Sequence, residues 1–199
     1  MCMTIYLLAD RKLPAPADEI AYPGLWLYPV KADSQTAVLA GIRKITPVAF
    51  AYSVQPNGYC GCYFCYETPA CFAERMAERK AQPNVEYADT PEHAEAMWRC
   101  QTNAVQSFGR YLSAHTGAAL AVYVVWEGRA GQQEPTRAAV PPSYFGGSSF
   151  ASLPEDLLLT IISELPGGEK SAWDLAAREG TNGSFAPPAD ELCRPGGTP

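Results

Sequence analysis

Four of the seven cysteines fall in one short stretch, Cys60-x-Cys62-x-x-Cys65-x5-Cys71. Clustered thiolates can hold Zn²⁺ or an iron–sulfur cluster, and a paired Cys-x-x-Cys can exchange disulfides. The spacing here repeats no two-cysteine knuckle at a distance, as a ribbon or finger would. Cys62-Tyr63-Phe64-Cys65 has the redox spacing but sits in a strand-like run, not at a helix N-terminus. The expected role of Cys60 and Cys62 is that of small buried hydrophobes. A thiolate metal site drawing on Cys60, Cys62, Cys65 and Cys71, with zinc as the ion, is the alternative. No other cofactor is expected.

Carboxylates form a second set. Three strand-like runs end in an acid, at Asp10, Glu67 and Glu127. Parallel strands would gather such ends on one edge of a sheet, where hydrolase-like chemistry could be assembled. The two histidines, His93 and His115, make poor partners for a cysteine nucleophile. His93 falls in a solvated first helical turn, and His115 lies on the apolar stripe of a helix near its C-terminus. There is no glycine-rich phosphate loop and no nucleophile elbow.

The elements that must position these groups follow from pattern and punctuation. The run 46–67 reads as a central hairpin, with Pro56-Asn57-Gly58 as a three-residue loop. That register pairs Val54 with Cys60, Tyr52 with Cys62, Phe50 with Phe64 and Val48 with Tyr66, all on one face. Cys65 then faces the other way, and Cys71 enters the first turn of the next helix. Two cysteines could converge on an ion; four could not.

Residues 3–10 read as a first strand, and 25–30 as a shorter one that Pro29 marks as an edge or a strand end. Residues 34–42 have the spacing of a short helix. Thr68-Pro69 and Thr90-Pro91 are both N-cap signals, predicting helices to about 82 and 115. In the second helix Met97, Gln101, Ala104, Phe108, Tyr111, Leu112 and His115 form one stripe. Residues 118–127 are almost wholly apolar, as a strand buried on both faces should be. Residues 128–149 read as loop. Residues 153–164 fit either a capped helix or a buried strand.

These elements predict an α/β or α+β domain over 1–165. A single sheet of about four to five strands holds the hairpin, and the helix near 90–115 packs on it. Residues 166–199 read as a Pro/Gly-rich tail. At 199 residues, with 47% hydrophobic residues and formal charge −6, the chain can bury a core without metal or disulfides. The acidic balance and scattered Lys and Arg point away from nucleic acid and from anionic membranes. No secretory signal is apparent, and seven cysteines is an odd number, so reduced thiols in a cytoplasmic protein are expected.

The opening I-Y-L-L-A-D-R-K-L-P (residues 5–14) and the later G-Y-C-G-C-Y-F (58–64) together resemble a family of small bacterial cytosolic proteins. Its members open with a strand-Asp-x-x-Leu-Pro stretch and carry a Cys-Gly-Cys-Gly-Phe-like motif. Their late aromatic-then-acidic strand is similar to Val125-Trp126-Glu127. The likeness spans about residues 3–163; Tyr63 stands where the motif has glycine, and Cys65 and Cys71 are additions. The family brings no assigned activity. The leading expectation is therefore a non-catalytic binding or interaction protein whose partner is a protein or a small molecule. A thiolate metal protein and a carboxylate hydrolase are the alternatives.

Overall fold

The run from Leu120 to Trp126 becomes β4, one of two central strands of a six-stranded sheet. The computed structural model describes residues 3–16, 20–31, 36–56, 61, 64, 67–82, 90–126, 128–145 and 153–162. In chain order the elements are β1 (Met3–Ala9), β2 (Leu25–Pro29), α1 (Thr36–Ile45), β3 (Phe50–Pro56), α2 (Pro69–Ala81), α3 (Pro91–Ala114), β4 (Leu120–Trp126), β5 (Thr136–Val140), a 3-10 turn (Pro142–Tyr144) and β6 (Leu157–Ile161). The strands lie in the order β2-β3-β1-β4-β6-β5. Every neighbouring pair is antiparallel except β5–β6.

The mixed α/β class and the single sheet are as the sequence predicts, with six strands in place of four or five. Alternation divides the core between the two faces of this sheet. Ile5, Leu7, Tyr52, Val54, Val122, Val124 and Leu159 meet Val105, Phe108, Tyr111 and Leu112 of α3. Tyr6, Leu8, Ala51, Tyr123, Val125 and Leu158 meet Leu39, Ile42 and Ile45 of α1 on the other side. Each such fully buried aliphatic side chain is worth about 1.5–3 kcal/mol of transfer free energy.

Both long helices start as their caps predict. The Thr68 and Thr90 hydroxyls accept from the backbone N–H of Cys71 and His93, with proline at the first position of each helix. Helix α2 buries none of its residues. It leans on α3 through Phe72, whose ring stacks on Trp98 at 4.7 Å.

Two expectations are corrected and one open alternative is resolved. The hairpin over 46–67 does not form, because β1 takes one edge of β3 and β2 takes the other. Val54 pairs with Ile5 and Leu27, leaving no edge for a return strand. Phe64 joins Tyr52 and Val54 in one apolar cluster, whereas Val48, expected on the same face, packs with the cluster on the other side of the sheet and Phe50 is exposed. Residues 57–60 lie outside the described residues, and with them the turn at Gly58. Second, the stretch read as loop holds β5 and the 3-10 turn. Thr-Arg-Ala-Ala-Val carries few strong β-formers, and what stabilises it is pairing at the sheet margin. Third, the helix-or-strand ambiguity at 153–164 resolves to strand β6, whose Leu157–Leu159 are buried between β4 and β5. The tail beyond 165 lies outside the described residues.

Candidate functional site

Asp10 and Glu67 are both committed to structural partners. The Asp10 carboxylate accepts from the backbone N–H of Ala119 at 3.1 Å, and its own N–H donates to the Ala119 carbonyl. It ties the end of β1 to the start of β4. Glu67 takes a two-point grip from Arg75, at 3.0 and 2.8 Å, and its carbonyl accepts from the Trp98 indole at 2.8 Å. Arg75 also lies over the Phe72 ring at 5.1 Å.

Antiparallel pairing also separates the strand ends that parallel strands would have gathered. Ala9 pairs with Leu120, whereas Trp126 pairs with Met3 at the opposite margin of the sheet. Seven residues of strand lie between those margins, about 20 Å at a strand's rise. Glu127 itself lies outside the described residues.

Around the cysteine motif, Gly61 and Phe64 are placed. A Cβ on Gly61 would sit 2.7 Å from the Met3 carbonyl oxygen, so only glycine lets the backbone press on β1 there. Phe64 is wholly buried, edge-on to Phe108 at 5.3 Å and to Phe145 at 6.3 Å. Cys60, Cys62 and Cys65 lie outside the described residues. Cys71 is disulfide-bonded and Cys100 is a free thiol, so the expectation of reduced thiols holds at Cys100 and fails at Cys71. While that bond stands, Cys71 is not a thiolate ligand. Of the histidines, His115 donates from Nδ1 to the Tyr111 carbonyl at 2.7 Å and stacks on the Tyr111 ring, and His93 is exposed.

A groove opens along the edge strand β2. Tyr22-Pro23-Gly24-Leu25 closes with the Leu25 N–H donating to the Tyr22 carbonyl at 3.1 Å. Gly24 stands at φ +75°, and with proline before it this is a type II turn. The turn launches β2, the last strand on its side of the sheet. Leu25 and Leu27 face the core, so Trp26 and Tyr28 must face outward. They are 40% and 43% exposed, with their rings edge to face at 6.0 Å.

A groove of about 270 Å³ runs along this strand, lined by Ala15, Pro16, Tyr22 and residues 25–28. Buried hydroxyls pin its walls. Tyr52 OH accepts from the Leu13 N–H at 2.8 Å, and Tyr111 OH donates to the Pro14 carbonyl at 2.6 Å. Burial raises the Tyr111 pKa, helped by the neighbouring Tyr52 and Tyr22, so the hydroxyl stays a donor. The facing wall is held by Ser107, which donates to the Pro23 carbonyl at 2.9 Å, and by Arg110, which donates to that of Ala21 at 3.3 Å.

The backbone of β2 adds polarity to the groove. Val30 N–H donates inward to Ala51, and bonding direction alternates along a strand, so Leu25, Leu27 and Pro29 turn their polar groups to the open edge. Pro29 has no N–H and that of Leu25 is used in the turn. Leu27 therefore carries the outward strand donor. Among the described residues that line the groove there is no carboxylate, histidine or cysteine. The arrangement can stack, pack and hydrogen-bond, with no nucleophile or acid–base pair among those residues.

A larger groove of about 640 Å³ lies between α3 and the 3-10 turn, lined by Gln106, Arg110, Ser113 and Ser143 with the buried Phe145 at its floor. It exposes no ring.

Sequence reasoning passed over Tyr22, Trp26 and Tyr28, although their signal was present. Pro23-Gly24 marks the turn, and Leu-Trp-Leu-Tyr is apolar on both faces of a strand that Pro29 assigns to an edge. An edge position leaves one side of such a strand open to solvent. Among the described residues no helix is long and apolar enough to cross a membrane. No protein-family model, curated protein or solved structure matches the chain.

Proposed function

We propose that the protein is a non-catalytic binding or interaction module whose site is the aromatic groove along β2. The observation that carries this reading is the pair Trp26 and Tyr28, left about two-fifths exposed on a strand whose other face is sealed. Tyr and Trp supply large, stiff contact area with a polar tip, which is why such rings dominate the energetics of binding surfaces. The pinned walls add to it. A groove already shaped before its ligand arrives spends less ordering entropy on binding.

Titrating the ¹⁵N-labelled protein with pooled random decapeptides at millimolar concentration tests the reading. Resonances of Tyr22, Trp26, Leu27 and Tyr28 are expected to move. If shifts concentrate at Gln106, Ser113 and Ser143, or nothing moves, the groove along β2 is not the site.

A further inference from the structure

We infer that this groove takes a proline-rich segment in the polyproline II conformation, and that its occupant is the chain's own Phe-Ala-Pro-Pro at residues 185–188. The inference rests on the binding reading above and names its ligand. The first argument is hydrogen-bond supply. The Trp26 indole N–H and the Tyr22 and Tyr28 hydroxyls have no acceptor among the described residues, and Leu27 adds an outward N–H. The groove is thus fringed with donors. A polyproline II segment makes no internal hydrogen bonds, and its prolines have carbonyls but no N–H. It brings acceptors to a site that offers donors. An added β-strand fits less well, because the edge can make its reciprocal pair of bonds only at Leu27.

Shape agrees. Pyrrolidine rings pack on aromatic faces, and Tyr22, Trp26, Tyr28 and Pro16 supply aromatic and proline faces along one strand.

Reach and charge make this chain the occupant. Ile161 pairs with Leu120, Leu120 with Ala9 and Ala9 with Phe50, so β6 ends at the same margin of the sheet as the Pro29 end of β2. Four strand spacings, about 19 Å, separate them. The linker from Ile162 to Phe185 spans 23 residues, and a random-coil chain of that length has a typical end-to-end distance of about 24–29 Å. It covers the gap without stretching and holds the segment at an effective concentration on the order of millimolar. A segment entering at Pro29 and running towards Tyr22 carries Asp190 and Glu191 to the far end. There Arg110 binds the Ala21 carbonyl and has no acidic partner among the described residues. At about 3.1 Å per residue, residues 185–191 span about 19 Å, slightly more than the roughly 16 Å of the five-residue β2.

The indole N–H resonance of Trp26 in the ¹⁵N-labelled full chain, assigned by its loss in Trp26→Phe, reads occupancy directly. In the double variant Pro187→Ala/Pro188→Ala the resonance is expected to shift while those of Trp98 and Trp126 stay in place. A free peptide of residues 183–191 should return the variant's signal to the wild-type position. The wild type should need about tenfold more of that peptide to respond, since the tethered copy competes. If wild type and variant superimpose and the peptide moves both alike, self-occupancy is wrong and the groove remains a peptide site. If neither substitution nor peptide moves the signal, the proline ligand is wrong too; movement with random peptides would still uphold the groove. A wild-type signal that changes on tenfold dilution assigns the segment to a second copy and overturns the intramolecular form.

Discussion

Phe64, Phe108 and Phe145 form one aromatic cluster, and Tyr22, Trp26 and Tyr28 line another. The first is sealed: its rings meet edge to face at 5.0–6.3 Å and are at most 4% exposed. In the second, Trp26 and Tyr28 lie open on the edge strand, while Tyr22 is half-buried and meets Tyr111 edge-on at 5.4 Å. The same class of side chain does different work in the two places. Inside, a ring contributes its buried area to folding. On a pinned but open wall it contributes little to folding, and its area is available to a ligand. Stability and binding should therefore separate between the two clusters.

The largest expected effect is in the sealed cluster. Phe108→Ala should lower the unfolding free energy by about 3–5 kcal/mol, through lost transfer energy and the cavity left behind. Urea titration followed by circular dichroism measures this. A loss below about 1 kcal/mol would mean that the cluster is not the keystone its burial implies.

Alkaline pH should act next most strongly, again on the sealed side. Burial raises the Tyr111 pKa and pushes that of Tyr144 up to about 12, against 10.0 in an unfolded chain. Both groups keep their protons in the folded state at pH values where the unfolded chain has released them. Their contribution is therefore complete below pH 10 and is lost as pH rises towards 12. With two groups the slope should approach about 3 kcal/mol per pH unit. Tyr111→Phe should flatten it, and a slope indifferent to that change would contradict the account.

Gly61→Ala should cost about 1–3 kcal/mol, because the added methyl meets the Met3 carbonyl and the backbone must shift. Differential scanning calorimetry would show it as a lowered midpoint. An unchanged midpoint would mean that the cysteine motif rests loosely on β1. The smallest stability effect belongs to the open cluster: Trp26→Ala should change the unfolding free energy by less than about 1 kcal/mol, as exposed substitutions usually do. A loss near that of Phe108→Ala would erase the distinction.

Much of this fold was legible in the sequence where local signals and tertiary demands agree. Thr68-Pro69 and Thr90-Pro91 each mark a helix start that needs no distant partner, and the apolar run at 118–127 could only be an interior strand. The hairpin was misread because pairing partners are chosen in three dimensions. Alternation placed Tyr52, Val54 and Phe64 on one face, yet did not reveal that β1 and β2 would claim both edges of β3. Strand β5 was invisible because its alanines have no strong preference. The candidate site was half legible. The Pro23-Gly24 turn and the edge position set by Pro29 were in plain view, but the pinning of its walls by Tyr52, Tyr111, Ser107 and Arg110 spans most of the chain. Chemistry-bearing residues drew the eye to cysteines and strand-end acids; the structure instead leaves open a surface with no charged group on the strand.

The most direct test of the central claim pairs two quantities on one variant. Affinity for a proline decapeptide and the free energy of unfolding would be measured with and without Trp26→Ala in the Pro187→Ala/Pro188→Ala background, where the tethered segment does not compete. The account predicts at least a tenfold loss of affinity, with an unfolding free energy within about 1 kcal/mol of that background. Equal affinity in the two proteins, or a loss of affinity explained by unfolding, would contradict it.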